Sequence, residues 1–399
     1  MGEKVDRVGR TSPPNYGGPV TSGRNSTDIA VVGGGIAGVS IAYELAATRR
    51  VTLIEAEPDL PLHSTARSAA TYVPGHGSGP FRALITASGP RFVALADELG
   101  TPPLLTPRGV LWVAVDDDGE AAMDAVLAEQ AGEPGAPVPL PVAEAVERCP
   151  VLRTPRAAAL TEAAADADAI ALHAGYLRGL RRRGGTVLRG APVETITRDG
   201  AGWRIAAGTH HVTAAGIVDA AGAWTDVVAA RAGVPGIGLV PHRRTIAVCP
   251  VPDPSVLHGP SATPLPMVVD VGERFYLKAE AGAVLVSPAD ETPAEPGDAR
   301  PDELDVALAL DRVRAATTLP LHSVRTAWAG LRSFVPDRAP VVGAWPEHPG
   351  FHFFAGQGGS GIESAPALAA LGAAVVTGTA PPPDVTLDLD VVSVTRLSA

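Results

Sequence analysis

The chain is almost without lysine. Only Lys4 and Lys278 carry an ammonium, and arginine supplies the rest of its 32 basic residues. Against 43 acidic residues this leaves a formal net charge of −11. A polyanion partner needs a basic face, so no nucleic acid is expected. Cysteine is as scarce: Cys149 and Cys249 are the only two, each followed by proline. They make neither a disulfide framework nor a metal-ligand spacing, and read as two free thiols in loop positions of a reducing cytoplasm, with no metal site. No apolar run is long and uninterrupted enough to span a bilayer, so no membrane insertion is expected. The opening "MGEKVDRVGRTSPPNYGGPVTSGRNS" lacks the apolar core of a signal peptide. Residues 1–27 read as a disordered leader. What remains is a 46% hydrophobic chain of 399 residues, long enough for two domains.

Glycine, by contrast, is abundant, with 44 residues, and two clusters stand out. The first opens "DIAVVGGGIAGVSIAYELAATRRVTLIEAE" at residue 28. "IAVV" is a short run of the kind buried in a parallel sheet. "IAGVSIAYELAA" has helical spacing, and "VTLIE" is the next strand. Gly33, Gly35 and Gly38 therefore sit between a strand and a helix: the first for the tight turn, the second for backbone approach to a pyrophosphate, the third for helix packing. The helix N-terminus would face the phosphates. Glu55, twenty residues after Gly35, ends the second strand and is placed to accept hydrogen bonds from an adenosine ribose. This is a dinucleotide-binding unit, and an acid at that strand end disfavours a 2′-phosphate. The second cluster, "GQGGSGIE" at 356–363, precedes the helical stretch "SAPALAALGAAVV".

Between the clusters the periodicity changes twice. "FRALITASGPRFVALADELG" predicts a helix broken at Pro90, and "GVLWVAV" a strand. "PVETITRDGAGWRIAAGTHHVTA" predicts a meander with a hairpin at "DGAG". "RRTIAVC", "MVVD", "FYLKAE" and "AVLVS" predict an antiparallel sheet. The expected organisation is a discontinuous nucleotide-binding domain (28–75, 151–235 and 326–385), a mainly β domain inserted twice (76–150 and 236–325), and a tail from 386 to 399.

Three further stretches could touch a ligand. "HSTARSAATY" (63–72) gathers small residues around Arg67, which suits a loop wrapping a flavin and its pyrophosphate. "GIVDAAGAWTD" (216–226) is a second small-residue turn after a strand. "WAGLRSFVPD" places Arg332 beside glycine and aromatics, either paired with Asp337 or gripping a carboxylate. Tyr276 needs a partner for its hydroxyl if buried. Of Arg243 and Arg244, adjacent on a strand, at most one faces a pocket.

Together these stretches, with "RALITAS", "CPVLR", "GYLRG" and "FYLK", resemble the FAD-dependent amino-acid oxidoreductases of the D-amino-acid oxidase, glycine oxidase and sarcosine oxidase superfamily over residues 28–380, and within it the bacterial D-arginine dehydrogenase-like enzymes. The resemblance implies an α/β fold: a Rossmann-type (GR2-like) FAD-binding domain with an antiparallel substrate domain. It also implies oxidation of a C–N bond by hydride transfer to flavin N5. The small-molecule substrate would be an amino acid or amine, and oxygen or another carrier would accept the electrons. The FAD contacts it implies are Gly33, Gly35, Ile36, Ala37, Gly38 and Glu55; Ser64, Thr65, Arg67, Ser68 and Ala69; Val193; Ala221, Gly222 and Trp224; Gly330 and Arg332; and Gly358, Gly359, Ser360, Gly361 and Ile362. The substrate residues it implies are Arg332 and Tyr276 at the carboxylate and Arg244 or its neighbour Arg243; His76, Glu363 and water are the candidate proton acceptors, and His76 and Glu363 do not come from the resemblance.

The chain departs from D-arginine dehydrogenase-like sequences at Thr71 for histidine, His76 for tyrosine, Val110 for the acid that meets a cationic side chain, Ser360 for tyrosine and Glu363 for glutamine. The carboxylate grip is kept and the side-chain pocket rebuilt, so arginine specificity is not carried over. Glu363 either replaces the lost acid or is a solvated or capping carboxylate. The flavin is expected to be noncovalent, because no cysteine lies near the C-terminus and "STARSAA" holds no histidine. Alternatives are a secondary-amine oxidase acting on an N-substituted or N–N-bonded amino acid, a flavoprotein without catalysis, and a nicotinamide-only dehydrogenase.

Overall fold

The computed structural model describes residues 26–260 and 263–397. The leader expected at 1–27 lies outside them, except that Ser26 and Thr27 already belong to the first strand, Ser26–Val32. That strand is the middle of a parallel layer. It pairs with Val51–Ile54 on one side and His210–Asp219 on the other. Thr186–Leu188 and Phe351–Ala355 extend the layer outward. Ala30 and Val31 have no exposed surface, as a strand covered on both faces requires. The expected meander, Val193–Asp199 and Gly202–Ala207, continues the sheet antiparallel through a turn at Gly200.

Helices Ile36–Leu45, Gly79–Leu99, Ala169–Arg182 and Gly361–Thr377 pack together over one face of this sheet. They bury Leu45, Leu84, Phe92 and Leu371 in one apolar core. The second of them corrects an expectation. It runs unbroken through Pro90. Pro90 is exposed, and the packed residues on either side hold the helix together.

A nine-stranded sheet forms the other half. All four strands expected between 243 and 287 lie in it, and its pairings are antiparallel except that Met267–Asp270 runs parallel to Val110–Ala114. The boundaries expected at 151 and 326 shift, because Ala157–Thr161 and Thr326–Phe334 also pair in this sheet. Those strands carry side chains for its core, where pairing with distant strands outweighs sequence neighbourhood. Both cysteines are buried in that core as free thiols. Cys249 lies in the strand Val240–Pro250 rather than in a loop. Burial pushes the Cys149 thiol up to about 12, so it is inert at neutral pH.

Residues 386–397 pack back on the molecule. Val392 and Val394 are buried, and the Arg396 guanidinium bonds Asp337. No helix among the described residues is long and apolar enough to cross a membrane.

Candidate active site

The two glycine clusters, more than three hundred residues apart in sequence, meet at one cavity of about 430 Å³. The first cluster is bare because neighbouring backbone fills the space. A Cβ on Gly33, whose φ is +107°, would lie 2.4 Å from the Ala220 carbonyl oxygen. One on Gly38 would lie 1.7 Å from the Gly33 oxygen, so Gly38 packs helix onto strand and is not on the cavity wall. Gly33, Gly35, Ile36 and Ala37 are on it. The helix they open has no acid of its own in its first turn. The Ile36 N–H donates to Thr65 Oγ1 at 3.0 Å, which caps the helix from a separate loop.

Glu55 lines the cavity at the end of its strand, with its carboxylate accepting from the Gly34 and Glu57 N–H groups. It holds the glycine loop in shape. Val193, Ala221, Gly222 and Trp224 complete this end. Arg231, which the sequence did not single out, also lines it and donates to the Val193 carbonyl.

The loop 63–69 wraps the middle. Ser64 Oγ donates to the Leu331 carbonyl at 2.6 Å. Arg67 lines the cavity, but its guanidinium reaches the other way, to Asp298 and the carbonyls of Ala299 and Ala329. It ties the loop to the strand Thr326–Phe334, where Gly330 packs on Arg67 Cβ and Ser64. Lys278, the one lysine described, donates to the Ala69 carbonyl at 2.7 Å. Ser68 Oγ and His63 Nδ1 are buried on this wall without a partner among the described residues. His63 was missed at the sequence level, and its only signal was its place beside Ser64.

The second glycine cluster closes the far end. A Cβ on Gly358 would sit 2.2 Å from the Phe334 ring, and one on Gly361 would lie 3.8 Å from Ile36 Cγ2, which brings the two clusters into register. Gly358, Gly359, Gly361 and Ile362 line the cavity, but Ser360 does not. Ser360 is buried at the start of the last helix, its carbonyl accepting from Ser364. A specificity role for its side chain therefore loses support: the chain's turn points it toward Gly77.

Arg332 and Tyr276 stand on the wall beyond. The Tyr276 hydroxyl is buried and has no partner among the described residues. The Arg332 guanidinium lies against Gly359, where a Cβ would come within 2.9 Å of Nη1. No described residue bonds it. Asp337, the alternative partner, is taken by Arg396 and the Ala339 N–H. Burial, then the neighbouring Arg244, pull the Arg332 pKa below the usual guanidinium value, so an anion is welcome there.

Arg244 also lines the cavity, bonded to Glu291 and the Asp290 carbonyl. Arg243 turns to the opposite face and pairs with Asp305. The pleat settles the choice between them. Val110 is buried in the apolar cluster behind Tyr276, with Ile246, Met267 and Leu285, and puts no charge on the wall. Thr71 lines the wall.

Glu363 lines the wall too and is 3% exposed, so it is not a solvated carboxylate. Nor does it cap its own helix. It accepts from the Val73 N–H at 3.0 Å and meets His76 Nδ1 at 2.7 Å. His76 stands behind it, off the wall. Burial disfavours the His76 cation, but Glu363 more than offsets that, and the imidazole pKa is raised.

A family model described as "FAD dependent oxidoreductase" (DAO) matches residues 28–375. The chain belongs to this family. A glycine oxidase of Pseudomonas aeruginosa is 27% identical over 391 residues, covering 89% of this chain and 96% of that protein. Among solved structures, glycine oxidase from Geobacillus kaustophilus superposes with a TM-score of 0.80 at 23% identity, over 93% of this chain and 99% of that one. L-proline dehydrogenase from P. horikoshii gives 0.78 at 21%, over 90% and 96%. These two show a shared fold. The family cofactor is FAD, and the cavity fits it: a glycine cradle at a helix N-terminus, and a Ser68 hydroxyl and His63 nitrogen along the wall that no described residue partners.

Proposed function

We propose that the protein oxidises the C–N bond of an amino acid or related amine, giving an imine that water hydrolyses to a 2-oxo acid. One observation carries the reading. A half-buried arginine that no described residue bonds and a buried tyrosine hydroxyl without a partner among the described residues share one wall of the cofactor cavity. Leaving both unsatisfied is costly, and a substrate carboxylate satisfies both at once. Bound FAD supplies the hydride acceptor. The expected FAD contacts at both glycine clusters, the loop 63–69 and Val193 are part of the proposal. Arg332 and Tyr276 bind and orient the carboxylate. Arg244, anchored by Glu291, adds positive charge. Gly359 leaves room for the guanidinium, and Ile246 with the apolar cluster behind it keeps water from that end.

The names of the relatives accord with this class: glycine oxidase and L-proline dehydrogenase are both named for oxidation of an amino acid. A secondary-amine substrate is the second reading. The small wall residues Ala69, Ala70 and Thr71, with no charge at Val110, leave space for an N-substituent.

Anaerobic titration of the holoprotein with amino acids, against N-alkylated ones, separates the readings by which series bleaches the flavin. Arg332→Ala is expected to raise KM greatly or abolish reduction. Unchanged kinetics with a carboxylate substrate would refute the clamp, and no bleaching by any amine would point to a flavoprotein without this catalysis.

A further inference from the structure

The carboxylate clamp leaves one buried charge on the wall unexplained. Glu363 takes two hydrogen bonds, from the Val73 N–H and from His76. A carboxylate offers about four lone-pair positions, so about two remain open. Its only cationic partner among the described residues is an imidazole whose side chain is 36% exposed. An arginine would neutralise Glu363 at every pH, whereas an imidazole does so only when protonated. The charged groups facing His76 are Glu363 from the last long helix, Arg332 from the strand Thr326–Phe334, and Glu273 from the turn before Tyr276; Tyr72, on the segment leading to His76, also feels Glu363.

We propose that Glu363, fixed by the Val73 N–H and by His76, receives the cationic nitrogen of the substrate, so that the cavity selects a zwitterion by its two charges. This rests on the reading of Arg332 as the carboxylate site. His76 is a positioning residue. When it is protonated, the pair it makes with Glu363 is neutral. When it is not, the pair carries one negative charge and attracts an ammonium more strongly. Amines should therefore be favoured over isosteric alcohols, and increasingly so as His76 loses its proton.

Two probes test this in the holoprotein. 2-Aminoisobutyrate has no α-hydrogen and cannot be oxidised, and 2-hydroxyisobutyrate differs from it only in carrying a hydroxyl for the ammonium. Binding is read by perturbation of the flavin absorbance and by calorimetry. Wild type should prefer the amino probe. Glu363→Gln keeps the shape and the Val73 acceptor, and should cut that preference about ten- to hundredfold without weakening the hydroxy probe. Equal loss of both probes, or no loss, would overturn the proposal.

The pH series decides independently of that variant. In wild type the preference should rise with pH through the His76 titration, while the amine stays protonated, and the rise should vanish in His76→Gln. A flat wild-type series would overturn the proposal. Arg332→Leu should weaken both probes alike. If it weakens neither, the underlying clamp is at fault, whatever Glu363 does.

Discussion

Two adjacent glycines should fail in different ways when given a methyl group. Gly359 is not in the left-handed region, so alanine suits its backbone. Its Cβ, however, would lie 2.9 Å from Arg332 Nη1 and 3.0 Å from Cζ. Carbon contacts relax at about 3.5–4.0 Å, so the guanidinium must move by roughly 0.5–1 Å. A charge-assisted carboxylate bond is worth about 1.5–3 kcal/mol, and a shift of that size forfeits much of it. In Gly359→Ala, KM for a carboxylate substrate should therefore rise about ten- to hundredfold, with FAD affinity and melting temperature near wild type. Gly358 has φ +54°, and its Cβ would sit 2.2 Å from the Phe334 ring. Gly358→Ala pays left-handed strain and overpacking together, so it should lower stability by about 1–3 kcal/mol. Steady-state kinetics, FAD titration and thermal melts of the two variants check this. An unchanged KM in Gly359→Ala, or equal loss of FAD and substrate affinity, would refute the placement of Arg332.

Thr65→Val removes the hydroxyl that accepts from the Ile36 N–H. It should cost about 1 kcal/mol by thermal melt, as loss of a helix cap does, and weaken FAD binding measured on the apoprotein. Asp219 is fully buried with one oxygen unpartnered, and burial raises its pKa well above the carboxylate range. A folded pKa above the unfolded value of about 3.9 favours folding most at low pH, and that contribution declines as pH rises toward the folded value. Asp219→Asn should therefore flatten the fall in melting temperature between mildly acid and alkaline pH, and parallel curves for the two proteins would contradict this.

Much of the cofactor end was legible in the sequence, because its determinants are local. A strand, a glycine turn, a helix and a second strand ending in Glu55 are set by short-range periodicity and by a glycine spacing that stands within one stretch of chain. The antiparallel strands "MVVD", "FYLKAE" and "AVLVS" were legible for the same reason. Other features were not. Pro90 reads as a break because its carbonyl partner is lost locally, yet packing on both sides carries the helix through. Arg67 reads as a cofactor residue, yet its guanidinium reaches Asp298, 231 positions away. His63 and Arg231 gave no pattern at all.

The sequence by itself determined that this chain binds a dinucleotide and builds an antiparallel second sheet, since short-range periodicity and backbone sterics dictate both. Only the tertiary structure decided which charges face the cavity. The strand pleat sends Arg244 inward and Arg243 outward, and chain segments 287 positions apart bring Glu363 to His76. Burial then makes those charges count, because an unpaired or half-paired ion away from water must find its partner in a ligand.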